Sequence, residues 1–188
     1  VPPPEILITG FALTAVLLYL SLKNILAEEI PQISLITSAI FVASLVHFPV
    51  GPTSVHLIMN GLAGIILGKR AFASIFVALT LQAIFFQYGG MTVIGVNTLN
   101  MGLPALLAWQ IFESRRGFPS PRKEMIFGGI AGGAGVLGAV LMLSTELLSL
   151  GTAFREITIF VLAAHVPIII IETVVVGATA AILQKAKP

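Results

Sequence analysis

Two of the three histidines in this chain, His47 and His56, stand nine positions apart around the segment FPVGPTSV. A neutral imidazole keeps a lone pair near neutral pH, which makes it the commonest side-chain metal ligand. Between the two rings lie Pro49, Gly51 and Pro52 but no charged residue, and Cys is absent from the whole chain. Nitrogen donors without thiolate suit Ni(II), Co(II), Cu(II) or Zn(II) rather than Cu(I). Two imidazoles do not specify a site, because an interfacial pair bonded to water or backbone accounts for the same residues. Thr53 and Ser54 could line such a site or, equally, cap a helix that starts at Ser54.

Other polar groups are sparse. Asn97 and Asn100 fall in a later loop and at the head of the run after it, where they could wall a site or, for Asn97, cap the helix. Gln82 reads as an interhelical hydrogen bond. His165 and Glu172, seven residues apart, share one helical face with Pro167 between them. An ionisable pair in an apolar run should face the bundle interior and be paired. It could serve ion or proton movement or simply join helices, with Asn60 or Gln82 as partners. The chain lacks a phosphate-binding glycine loop of the P-loop type, so ATP would have to be used by another chain. It also lacks HExxH, and Ser54 or Ser144 as an intramembrane nucleophile has no supporting pattern. No catalytic residue or catalytic cofactor is expected, and the chain does not read as an enzyme.

The elements that must position these groups are apolar. Hydrophobic residues make up 57% of 188 and charged residues 10%, against about 25% charged in soluble domains; the mean hydropathy is +1.04. This is an integral membrane protein in contact with lipid. Its net charge of +2 is too small for a nucleic-acid footprint. Seven apolar runs separate at Pro, Gly and charge, near Ile6–Leu22, Ile33–Val46, Ser54–Gly68, Phe72–Phe86, Thr98–Phe112, Met125–Leu148 and Glu156–Leu183. The expected fold is all-α, a polytopic bundle of about seven transmembrane helices.

Charge sets its orientation through the positive-inside rule. With the N-terminus outside and the C-terminus cytoplasmic, Lys23, Lys69, Arg70, Arg115, Arg116, Arg122, Lys123, Lys185 and Lys187 all face the cytoplasm, and only Arg155 does not. The His47–Thr53 and Gln87–Asn97 loops are then outside. The four runs flanking them are about 15 residues each, about 22 Å of helix, short of a hydrocarbon core of about 30 Å. Both loops should therefore be irregular and recessed into an outward vestibule. The run GGIAGGAG in the sixth span (Gly128, Gly129, Gly132, Gly133, Gly135) suits close helix packing within the fold or, alternatively, a partner surface.

The segments HFPVGPTSVHLIMNGLAGIILGKRAF and FFQYGGMTVIGVNTLNMGLPALLAW, with HVPIIIIETVVVGATAAIL, resemble the central motifs and final helix of the CbiM/NikM family. These are substrate-capture (S) components of energy-coupling factor transporters for cobalt and nickel, multi-pass proteins of the prokaryotic plasma membrane. The resemblance implies one metal-capture domain over 1–188, carrying Co(II) or Ni(II) as cargo. It further implies a transmembrane coupling (T) subunit, a cytoplasmic ATPase pair and a small accessory membrane subunit as partners. In the family, an N-terminal Met-His pair gives its amine, a backbone nitrogen and an imidazole, and a histidine in a GTSxH-type motif completes a nearly planar nitrogen set. His56, in GPTSVH, matches that histidine; His47 precedes the loop at a position suited to orienting or gating it, with a direct ligand role as the alternative. The resemblance makes Asn97 and Asn100 walls of the site. The chain departs from the family at its start, Val-Pro-Pro-Pro-Glu in place of Met-His; with no initiator Met at Val1, a native N-terminal segment is expected ahead of it. An S component for an organic solute such as a vitamin, or a non-transporting structural subunit, are the alternatives.

Overall fold

Proline opens several of the helices. Pro4, Pro31 and Pro121 sit in the first turns of their helices, where a missing N–H costs nothing and the fixed φ is already helical. The computed structural model describes residues 2–50, 53–115, 117 and 120–186, with the backbone alone at 47–50 and 53–54. Helices α1 (Pro4–Leu22), α2 (Ile30–Leu45), α3 (Asn60–Leu67), α4 (Ala71–Phe86), α5 (Ile94–Glu113), α6 (Pro121–Ser149) and α7 (Arg155–Lys185) follow in order. Strands β1 (His47–Val50) and β2 (Thr53–His56) form an antiparallel hairpin between α2 and α3.

Three local expectations are corrected. Around His47–Thr53 the described backbone pairs as an antiparallel hairpin rather than irregular backbone, and its register pairs His47 with His56 and Pro49 with Ser54. Pro is tolerated because a two-stranded hairpin consists of edge strands. No helix starts at Ser54, so neither it nor Thr53 is a helix cap; α3 begins at Asn60 after Met59, whose φ is +61°. Helix α5 starts at Ile94, so Asn97 lies inside it and caps nothing.

Five helical stretches among the described residues are long and apolar enough to cross a membrane: Pro4–Leu22, Asn60–Phe86, Met91–Glu113, Pro121–Ser149 and Thr152–Lys185. Helix α3 has eight residues, about 12 Å at 1.5 Å per residue. The chain turns from α3 into α4 at Gly68, whose φ is +56°; a Cβ there would lie 3.2 Å from Trp109 Nε1.

The described Lys and Arg residues collect at one end. Ser21 Oγ donates to Lys69 O at 2.7 Å, while Gln32, Arg115, Glu124 and Leu183 share one groove. Only Arg155 lies at the other end; Arg116 and Lys187 are outside the described residues. Arg70 is more than a surface cation. It is 4% exposed, grips Glu29 with Nε and Nη2 at 2.9 Å each, and donates to the carbonyls of Ser21, Lys23 and Asn24. One guanidinium thus ties the end of α1 and the α1–α2 turn to the start of α4.

One core cluster joins α2, α3, α4 and α5 around Ile40, Ala63, Ile75 and Ala105, and a second joins the β2–α3 turn to α6 and α7 around Ile58, Val136 and Ile168. A Cβ at Gly128 would stand 2.6 Å from that of Ala180, and one at Gly61 2.6 Å from Gly132 Cα. The glycine run of α6 therefore packs against α7 and α3 within the fold, the close approach that small residues permit.

Candidate functional site

Alternation along β2 determines what His56 can face. Val55 is buried in a cluster with Ile58, Val136, Val161 and Ile168, so β2 is anchored on the α6–α7 pair. Successive strand residues point to opposite sides, so Val55 and His56 face different surroundings. Its Nδ1 lies 2.8 Å from Leu57 O. A carbonyl only accepts, so Nδ1 carries the proton and Nε2 holds the ring's lone pair.

His56 lines a cavity of about 210 Å³ between the hairpin stem, α4, α5, α6 and α7. Its polar lining comprises His56, Gln82, Tyr88, Asn97, Asn100 and His165, and its apolar wall is formed by residues such as Met101, Val140 and Leu143. Among the described residues, no carboxylate, lysine or arginine lines it. Asn97 and Asn100, three apart on α5, fall on one helical face. A Cβ on Gly89 (φ +72°) would stand 2.5 Å from Asn97 Nδ2. Tyr88 at the mouth stacks on Phe86, ring centroids 5.7 Å apart. Gln82 makes the expected interhelical bond, donating to Ser44 Oγ at 2.7 Å, and lines the cavity as well. The side chains of His47, Thr53 and Ser54 lie outside the described residues, as do Gly51 and Pro52.

His165 and Glu172 share an inward face of α7, but no hydrogen bond joins them among the described residues. His165 reaches the cavity, its Nδ1 2.8 Å from Val161 O. Glu172, 0% exposed, accepts from Met59 N at 2.9 Å and from Ile58 N. It therefore pins the turn that follows His56 to α7. Asn60 next to that turn donates to Met101 O at 3.1 Å and Gly135 O at 3.2 Å, tying α3 to α5 and α6. Asn60 Oδ1 and Glu172 Oε2 are buried without a hydrogen-bond partner among the described residues.

Sequence reasoning missed Glu146, which accepts from Asn100 Nδ2 at 2.8 Å and so holds one cavity amide from α6. Its distance along the chain from Asn100 leaves no local signal. The start of α1 adjoins the same wall: Glu5, Ile6 and Asn100 line a common groove. No group of three or more His, Asp or Glu side chains converges as a metal cluster among the described residues.

The family described as cobalt uptake substrate-specific transmembrane region, CbiM, matches residues 1–188. The chain is 35% identical over 185 residues to a putative metal transport protein of Haemophilus influenzae, covering 97% of this chain and 90% of that one. It is 33% identical over 145 residues to the fused nickel transport protein NikMN of Rhodobacter capsulatus, covering 72% of this chain and 42% of that longer one. A crystal structure of a truncated transition metal transporter superposes with a TM-score of 0.78 at 20% identity, covering 100% of this chain and 97% of the other.

Proposed function

The chain belongs to the CbiM family of cobalt-uptake substrate-specific transmembrane regions, and on that premise we propose that it captures Co(II) or Ni(II) at its outer face for import driven by partner subunits. The observation that supports the proposal is the cavity: two imidazoles whose Nδ1 atoms meet backbone carbonyls and three amides, with no fixed charge among the described residues. Hard cations take oxygen ligands, usually with carboxylates among them, whereas imidazole suits Ni(II), Co(II) and Zn(II). The volume of about 210 Å³ also falls below the about 300–1,000 Å³ of pockets for drug-sized molecules, which disfavours a vitamin.

In this reading His56 Nε2 is a ligand. In the family an N-terminal Met-His pair supplies the other nitrogen donors; here the start of α1, at Glu5 and Ile6, shares a groove with Asn100. His47, opposite His56 in the hairpin register, orients or gates it. The hairpin end is external and the basic end cytoplasmic, following the positive-inside rule. A fused family member, CbiMQ of Methanocorpusculum labreanum, accords with a membrane partner. A coupling subunit, an ATPase pair and a small accessory subunit complete the importer on this reading. Since this chain has no nucleotide loop, it supplies capture and the partners supply energy. Uptake of radiolabelled cobalt and nickel by cells co-expressing the chain with its neighbouring transport genes tests this. Metal accumulation that depends on the chain and on ATP supports it; accumulation equal to that of cells lacking the chain refutes it.

A further inference from the structure

Glu146 stands in the last turn of α6, where the negative end of the helix dipole disfavours a carboxylate. Among the described residues no cation forms an ion pair with it. Its side chain meets a neutral group instead: Asn100 Nδ2 on α5 donates to Glu146 Oε2 at 2.8 Å. A carboxylate only accepts, so this contact decides which end of the amide is which. The NH2 group faces Glu146, and the oxygen is left for the other side. Asn100 is 9% exposed and stands in a wall with two faces. One face lines the cavity with His56; the other lines the groove of Glu5, Ile6 and Met142 between α1, α5 and α6. Glu146 follows Met142 by four residues and lies over it on α6. The carboxylate therefore approaches from the groove side, which turns Asn100 Oδ1 to the cavity. The same hydrogen bond polarises the amide and makes that oxygen a better acceptor.

We propose that Glu146 is a positioning residue for metal capture: by holding Asn100 Nδ2 it sets Asn100 Oδ1 to accept hydrogen bonds from the water or amine ligands of the ion at His56. This rests on the capture reading of His56. A bound dication draws electrons from its ligands and makes their hydrogens stronger donors, so an oxygen facing them gains as the ion binds. An NH2 group in that place would repel them. The need for one orientation also accounts for a carboxylate rather than a glutamine, whose amide could turn and donate to Asn100 Oδ1.

The test titrates the whole chain in lipid nanodiscs with Co(II) and melts each variant metal-free. Glu146→Ala is expected to weaken Co(II) binding about 10–100-fold, and Glu146→Gln, which keeps an acceptor, to recover part of that loss. Asn100→Ala should lose as much as Glu146→Ala, and the double variant little more than either, because the two residues act as one unit. Wild-type affinity in Glu146→Ala, equal loss in Glu146→Gln and Glu146→Ala, or losses that add in the double variant each overturn the proposal. Glu146→Lys carries the test if Glu146→Ala does not fold, since a cation suits a helix C-terminus and its ammonium would turn the amide round. Wild-type affinity in Glu146→Lys, or an undiminished loss when it is added to Asn100→Ala, overturns the proposal equally. His56→Ala separates the two readings. If it abolishes binding while the Glu146 variants bind like wild type, only the role of Glu146 falls; if it binds Co(II) like wild type, the capture reading itself falls.

Discussion

Glu172 Oε1 on α7 lies 2.9 Å from Met59 N and also takes the neighbouring N–H of Ile58. Met59 stands at φ +61°, a conformation that costs a non-glycine residue roughly 1–2 kcal/mol, so the carboxylate holds a strained turn three residues from His56. Glu172→Leu would leave the buried Ile58 N–H and the half-buried Met59 N–H unpaired, at about 1–3 kcal/mol for the buried one. We expect a lower melting temperature and weaker Co(II) binding together, with Glu172→Gln, which keeps an acceptor, losing much less. A Leu variant that melts and binds like wild type would refute this clamp.

Gly89 combines a positive φ of +72° with a Cβ position 2.5 Å from Asn97 Nδ2. Gly89→Ala should cost roughly 1–2 kcal/mol through backbone strain and push the Asn97 amide out of place. Metal affinity should fall while helix content by circular dichroism stays at the wild-type level. Gly90→Ala is the control, since nothing lies within 4 Å of its Cβ position although φ is +78°; it should weaken the fold without the same effect on affinity.

At the opposite end, the Arg70 guanidinium, helped by the Leu26 N–H, holds the Glu29 carboxyl at about 2, below its ordinary 4.5. A lowered folded value means the pair's stabilisation is complete above about 4.5 and disappears as pH falls through about 2. Melting temperature should therefore decline across that interval, and Glu29→Gln should flatten the decline while lowering the plateau. An identical acid profile in the variant would show that the pair contributes nothing.

The absence of cysteine makes sidedness directly measurable. Gln87→Cys, at the cavity end, should react with a membrane-impermeant maleimide in intact cells. Lys185→Cys, at the basic end, should react only after permeabilisation. The reverse pattern would invert the orientation.

How much of this was legible depends on where each signal resides. Long apolar runs bounded by Pro and charge mark α1, α6 and α7 to within about a turn. The hairpin escapes because each strand has four residues, too few for a period to show, and its prolines suggest irregular backbone. Asn97 reads as a loop residue because Gly89 and Gly90 suggest a long break after α4, which ends at Phe86, while helix resumes sooner than the apolar run indicates, at Ile94. The inward face shared by His165 and Glu172 follows from their spacing. Their partners do not, because Glu172 binds backbone N–H groups, which carry no sequence signature. Nothing local joins His165 to His56; only the packing of β2 against α7 brings both to one cavity.

The central claim is capture of a transition-metal ion at His56. Calorimetric titration of the purified protein against Co(II) and Ni(II) tests it most directly. The account predicts saturable binding that His56→Ala weakens beyond the roughly 10–100-fold attributable to losing an orienting neighbour, with no heat from Ca(II) or Mg(II). Binding that survives His56→Ala undiminished, or no binding of either metal by the wild-type protein, would contradict it.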